Sequence, residues 1–137
     1  MRSVFADTLY WAAIARPGDP WAGPARRARE TLGPVRLVTT DEVLTEFLTL
    51  LGQTDALRRV AAQMVRAILR NANVRVIPQT RDSFLKALDR YEARPDKRYS
   101  LTDCASMNSM DAEAIREVLT NDHGFAQEGY TVLVTRQ

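Results

Sequence analysis

A chain of 137 residues with 45% hydrophobic and 26% charged side chains has the composition of one folded domain of ordinary size, which excludes intrinsic disorder and leaves no room for two full domains. No stretch approaches the roughly 20 apolar residues that cross a bilayer. The opening MRSVFADTLYW lacks the apolar run of a signal peptide, so a cytoplasmic protein with no membrane partner is expected. Cys104 is the sole cysteine, which excludes disulfide scaffolds and thiolate zinc sites.

The net charge of +2 conceals an asymmetry: residues 1–98 carry 17 Lys and Arg against 11 Asp and Glu, whereas residues 99–137 carry 2 against 6. Only Lys86 and Lys97 among the 19 basic residues are lysines, and the planar fork of arginine suits phosphate. A polyanionic partner and a merely solvated, arginine-rich surface are both compatible with this bias.

In chain order, the apolar run Arg2–Ala6 predicts a strand ending at Asp7, followed by a helix over Thr8–Ala15. The break RPGDP at Arg16–Pro20 precedes a helix over Trp21–Leu32, which Gly33-Pro34 stops. A second strand over Val35–Val38 leads into a helix over Thr40–Leu51, with Thr39 and Glu42 as a capping box and Gly52 as its end. The next helix, Asp55–Asn71, interleaves Arg58, Arg59, Arg66 and Arg70 with an apolar stripe. Its arginines suit either RNA or plain solvent. Then come a strand over Val74–Ile77, a helix over Arg81–Ala93, the break RPDKR at Arg94–Arg98 and a helix over Leu101–Met110. A strand over Glu117–Leu119, a short turn at His123–Gln127 and a strand over Tyr130–Val134 complete the chain. Strands that alternate with helices imply parallel pairing through helical crossovers. The expected fold is a three-layer α/β/α sandwich around a central, mainly parallel five-stranded sheet, in a single domain over residues 1–137.

In such a sheet, ligands bind outside the carboxyl ends of the strands. Asp7 ends the first strand, and Asp122 follows the fourth in the segment Thr120-Asn121-Asp122-His123. Glu46 borders the apolar face formed by Val43, Leu44, Phe47, Leu48, Leu50 and Leu51. Asp103 shares a helix face with Ser106, Met107 and Met110, where an unpaired charge is costly. Acids gathered without matching histidines, beside hydroxyls such as Thr8 and Ser106, favour an oxygen-preferring cation such as Mg2+ or Mn2+. Such an ion suits phosphodiester hydrolysis. Each acid also has a plainer reading as a turn or helix cap, Asp7 as the N-cap before Thr8 in particular.

Four segments in this order, VFADTLYWAAI, TTDEVLTEFLTLL, YSLTDCASM and LTNDHGFAQEGY, resemble the PIN-domain family and, within it, the VapC-type toxin ribonucleases. The resemblance spans nearly the whole chain. It implies that Asp7, Glu46, Asp103 and Asp122 are the catalytic acids and hold Mg2+ or Mn2+, with Thr8, Ser106 and Asn121 orienting ligands or water beside them. It further implies an endoribonuclease acting on tRNA or rRNA and leaving a 5′-phosphate, silenced by a cognate antitoxin protein, and assembled as a homodimer whose basic groove binds RNA. The sequence departs from the family pattern at Gly124, where close relatives often carry histidine, and at Asp111 and Glu113, which blur the end of their helix. The alternative from another class is a PIN-like module that binds RNA or protein without catalysis. A phosphoreceiver domain is excluded, because Pro78-Gln79-Thr80 and Thr135-Arg136-Gln137 stand where it needs an aspartate and a lysine. His123, Cys104 and the aromatics Tyr10, Trp11, Trp21 and Tyr91 read as loop, core or contact residues rather than as catalytic or base-stacking groups.

Overall fold

A computed structural model of the chain describes residues 1–136. Its sheet has five strands in the order β3-β2-β1-β4-β5, and every neighbouring pair is parallel. In chain order the elements are β1 (Ser3–Ala6), α1 (Thr8–Ala15), α2 (Ala22–Leu32), β2 (Arg36–Thr40), α3 (Asp41–Leu50), α4 (Asp55–Arg70), β3 (Val74–Ile77), α5 (Arg81–Ala93), α6 (Leu101–Ala112), β4 (Glu117–Leu119), α7 (His123–Gln127) and β5 (Thr131–Val132). This is the expected α/β/α architecture. No described helix is long and apolar enough to cross a membrane.

The central strand explains the apolar run that opens the chain. Val4, Phe5 and Ala6 are wholly buried, because helices cover both faces of a parallel sheet and no side of the strand meets water. Phe5 pairs with Val38 of β2 on one side and Val118 of β4 on the other. The chain builds β1, β2 and β3 outward in one direction, then crosses back to lay β4 and β5 on the other side of β1. The strand order therefore reverses between β1 and β4, and a crevice opens there at the strands' carboxyl ends.

Several boundaries differ from the sequence reading for identifiable reasons. The second strand runs on to Thr40, and Thr40, not Thr39, caps α3 by accepting a hydrogen bond from the Val43 amide at 3.1 Å. Thr39 is committed to the interior: its hydroxyl donates to the Ala6 carbonyl at 2.9 Å, and Trp11 Nε1 donates to it at 3.4 Å. Glu42 closes no box. On α3 the buried stripe is Val43, Leu44 and Phe47, continued by Leu51, whereas Leu48 and Leu50 face outward. The last strand shrinks to Thr131–Val132, although Leu133 and Val134 still donate to the carbonyls of Val118 and Thr120. The sixth helix reaches Ala112 and so carries Asp111.

Asp111 belongs to a polar hub that locks the C-terminal segment onto the helices. Arg90 of α5, its side chain 18% exposed, lies within 3.2 Å of Asn108 Oδ1 and Asp111 Oδ2 of α6 and of Glu128 Oε1 beyond α7. Tyr130 donates its hydroxyl to Asp111 Oδ1 at 2.6 Å. Burial and this bond to a carboxylate push the Tyr130 phenol up to about 12. Removing one partner of a shielded ion pair leaves the others uncompensated. Arg90→Leu is therefore expected to lower the unfolding free energy by about 3 kcal/mol, measured by urea denaturation of the variant against the parent.

Candidate active site

At the carboxyl ends of β1 and β4, a cleft of about 700 Å³ is lined by Asp7, Glu46, Asp103 and Asp122, together with Thr8, Asn121 and His123. Four elements of distant sequence supply the four acids.

Asp7 leaves the end of β1 with its backbone amide donating to the Leu119 carbonyl at 3.2 Å, so the β1–β4 ladder itself sets its position. It stands at the N-cap position of α1, yet its side chain makes no capping bond. The carboxylate instead turns inward, 6% exposed. Its Oδ2 accepts from the Thr120 hydroxyl at 3.0 Å, while Oδ1 is buried with no hydrogen-bond partner. Burial raises its pKa to about 7, helped by the charges of Asp103 and Glu46 and only partly offset by the Thr8 amide and the Thr120 hydroxyl.

Asp103 sits in the first turn of α6 inside a capping box: the Ser100 amide donates to Asp103 Oδ2 and the Asp103 amide donates to Ser100 Oγ, both at 3.0 Å. Burial again raises its pKa, opposed by the Ser100 amide and reinforced by the charges of Asp122 and Glu46. Glu46 reaches into the cleft from α3, half-buried, and accepts on Oε1 from the Thr8 hydroxyl. Asp122 is exposed and caps the short α7, its Oδ1 accepting from the Gly124 amide at 2.8 Å. For Asp122 the plainer reading as a helix cap therefore holds alongside its place in the cleft.

A common pattern runs through these contacts. One oxygen of each acid is held by a single donor, and among the described residues the other accepts no hydrogen bond. No three described His, Cys, Asp or Glu side chains are close enough to grip an ion as they stand. The acids line a gap, as mutually repelling carboxylates should.

Sequence reasoning passed over three residues of this cleft. Thr120 is wholly buried and joins two acids, donating to Asp7 Oδ2 while accepting from the Asp122 amide at 3.2 Å. A hydroxyl at the last position before the turn was its only signal. Arg16 and Asp19 also line the cleft and pair at 2.9 Å. They lie in the RPGDP break, whose Pro and Gly marked a turn without revealing that it folds over the strand ends. Thr8 and Asn121 line the cleft, but Ser106 does not: it is wholly buried and its Oγ has no partner. Cys104 is buried.

Gly124, the position at which the family pattern is broken, packs beneath an aromatic ring. A Cβ there would come within 2.9 Å of Tyr99 Cε1 and 3.1 Å of Asp122 Oδ1, so the ring of Tyr99 occupies the space that a larger residue would need.

No family model matches the chain. It is 32% identical over 127 residues to the 23S rRNA-specific endonuclease VapC20 of Mycobacterium tuberculosis, from strains CDC 1551 and H37Rv alike, across 93% of this chain and 95% of the relative. The crystal structure of M. tuberculosis VapC20, described as a sarcin-ricin loop cleaving toxin, superposes with a TM-score of 0.81 at 29% identity, covering 93% of this chain and 96% of that one. With a matching fold, likeness over almost the full length of both chains, and the acids at one cleft, this chain belongs to the VapC-type PIN-domain toxin ribonucleases.

Proposed function

We propose that the chain hydrolyses phosphodiesters of ribosomal RNA with a divalent cation, Mg2+ or Mn2+, held by Asp7, Glu46, Asp103 and Asp122, and that it is the toxin of a type II toxin–antitoxin pair. The observation that carries this reading is the set of four acids each tied by one oxygen only, above all the buried, unpartnered Oδ1 of Asp7. A buried carboxylate oxygen without a donor costs free energy, and an all-oxygen donor set suits a hard cation. A divalent cation bound there supplies a Lewis acid that activates water and offsets the charge building on a phosphodiester.

The remaining work falls to the chain's own groups. Thr120, Thr8, Ser100 and Gly124 each fix one carboxylate by a single hydrogen bond, which orients the opposite oxygen while leaving it free. Arg16 is the cleft's guanidinium, and its pairing with the shielded Asp19 carboxylate holds the fork at the rim where a phosphate enters. Without a cation the cleft repels RNA, since five carboxylates face one guanidinium and an exposed histidine. The substrate class follows from the relative that acts on 23S rRNA, and a cognate antitoxin and a homodimeric assembly complete the proposal.

With an rRNA pool, cleavage at discrete positions is expected with Mg2+ or Mn2+ and is expected to vanish with chelator. Asp103→Asn keeps an acceptor for the Ser100 amide, so it is expected to fold normally and lose cleavage by at least about a hundredfold, as for loss of one transition-state stabilising group. Mapping of new 5′ ends reads both outcomes. Undiminished cutting by this variant would overturn the site.

The same arrangement has a stability consequence. A carboxyl whose pKa is raised on folding penalises the folded state once ionised. For Asp7 the penalty is fully present above about pH 7 and is relieved as pH falls toward the ordinary aspartate value of 3.8; its ceiling is about 4 kcal/mol. In chelator at pH 8, Asp7→Asn is expected to be more stable than the parent by roughly 1–3 kcal/mol after the cost of a buried, unpaired amide. That gain is expected to shrink steadily as the pH is lowered toward 4, and denaturant titrations across this range check it.

A further inference from the structure

Beside the acid cleft lies a second and larger one, of about 870 Å³, between the end of α5 and the start of α6. The two meet at Ser100, which lines both and whose amide and hydroxyl hold the Asp103 turn. The walls of the second cleft carry Arg94, Lys97 and Arg98 against a single acid, Glu92. Arg94 is partly engaged, with its Nε 3.5 Å from Glu128 Oε2. Lys97 and Arg98 form no ion pair among the described residues. Tyr91 on the same wall is 50% exposed, in contrast to Tyr10, Trp11 and Tyr130, which are buried in the core.

These features differ in kind from those of the acid cleft. An acidic pocket is built to hold a cation, whereas unpaired cations beside an open aromatic ring fit the backbone and the π-face of a nucleotide. An aromatic half out of water also leaves apolar area uncovered, which a stacked base would bury. Base stacking requires a base free of its helix, so the ligand class is unpaired RNA. The cleft's continuity with Asp103 through Ser100 makes it a path for the strand beyond the scissile phosphate.

We infer that the cleft of Tyr91, Arg94, Lys97 and Arg98 is a docking subsite for unpaired nucleotides flanking the cut, with Tyr91 stacking on a base and Lys97 and Arg98 contacting phosphates. The inference rests on the ribonuclease reading of the neighbouring cleft. It explains why the RPDKR break concentrates charge at this one turn, and why Tyr91 stands half out of water.

The test measures binding apart from cleavage. A fluorescein-labelled, single-stranded oligoribonucleotide of mixed sequence is titrated by anisotropy into Asp103→Asn at several salt concentrations, alone and combined with Tyr91→Ala, Tyr91→Phe or Lys97→Ala/Arg98→Ala. Tyr91→Ala is expected to weaken binding about 5- to 100-fold, and Tyr91→Phe to restore it, since the ring and not the hydroxyl stacks. Loss of two phosphate contacts is expected to reduce the slope of log K against log salt by about 1.4. A fully paired RNA duplex of the same sequence is expected to bind more weakly and to be insensitive to Tyr91→Ala. Unchanged affinity and slope in these variants, with RNA still bound by Asp103→Asn, would overturn the subsite and leave the acid cleft standing. RNA binding that depends on Tyr91, Lys97 and Arg98 in a parent that cuts no RNA with either cation would support the subsite and overturn the nuclease reading. No RNA binding by Asp103→Asn with Mg2+ or Mn2+ present, beside a parent that cuts RNA, would overturn the subsite alone; no binding and no cutting by the parent with either cation would overturn both.

Discussion

The structure turns on one hydrogen bond at the point where the sheet changes direction. Thr120 donates to Asp7 across the ends of β1 and β4, strands that lie side by side although more than a hundred residues separate them in sequence. A parallel sheet in the order β3-β2-β1-β4-β5 must open at that seam, because the crossovers from β1 and β4 leave toward different neighbours. The two acids that follow these strands are brought to one rim by topology. The same hydroxyl also receives the Asp122 amide, so a single buried group fixes both turns relative to each other.

Holding four carboxylates around a gap works against the fold. Burial raises the pKa of Asp7 and of Asp103, and each is raised further by neighbouring acids, so their ionised forms weaken the folded state at neutral pH. Elsewhere the chain pairs its shielded charges with opposite ones: Arg90, although its buried Nε has no hydrogen-bond partner, is shared among Asp111, Glu128 and Tyr130, and Asp19 is matched by Arg16. The contrast separates charge kept for structure from charge left open for a ligand. In the proposed reading, the cation removes the repulsion when it binds, and the stability lost at the empty site is recovered as binding free energy.

Much of this was readable from residue order because its causes are local. The apolar runs, the Gly and Pro stops and the helical stripes placed all twelve elements, since each depends on neighbours within a few positions. Asp7 and Asp122 were reached from the rule that strand ends carry chemistry, and Glu46 and Asp103 from their positions beside apolar helix faces. What was not readable depends on three-dimensional approach. The two threonines at 39 and 40 look alike in sequence; only the proximity of Ala6 and Trp11 commits the first to the interior and leaves the second to cap α3. Likewise Leu48 and Leu50 have the right spacing to be buried, but they remain 38% and 43% exposed.

Tyr99 shows how a departure from a family pattern can be absorbed elsewhere in the chain. Its backbone leads directly into the Ser100–Asp103 capping box, and its ring lies against Gly124, whose amide holds Asp122. Its hydroxyl is anchored 3.1 Å from Glu128 Oε2, and Glu128 is gripped in turn by Arg90 and Arg94. The ring therefore fills the position that a side chain at 124 would take, and does so from a support tied to the polar hub. Glycine at 124 and tyrosine at 99 form one packing solution: a bulkier residue at 124 would displace the ring and with it the spacing between the turns that carry Asp103 and Asp122. A change at either position should accordingly be read as a change to the pair.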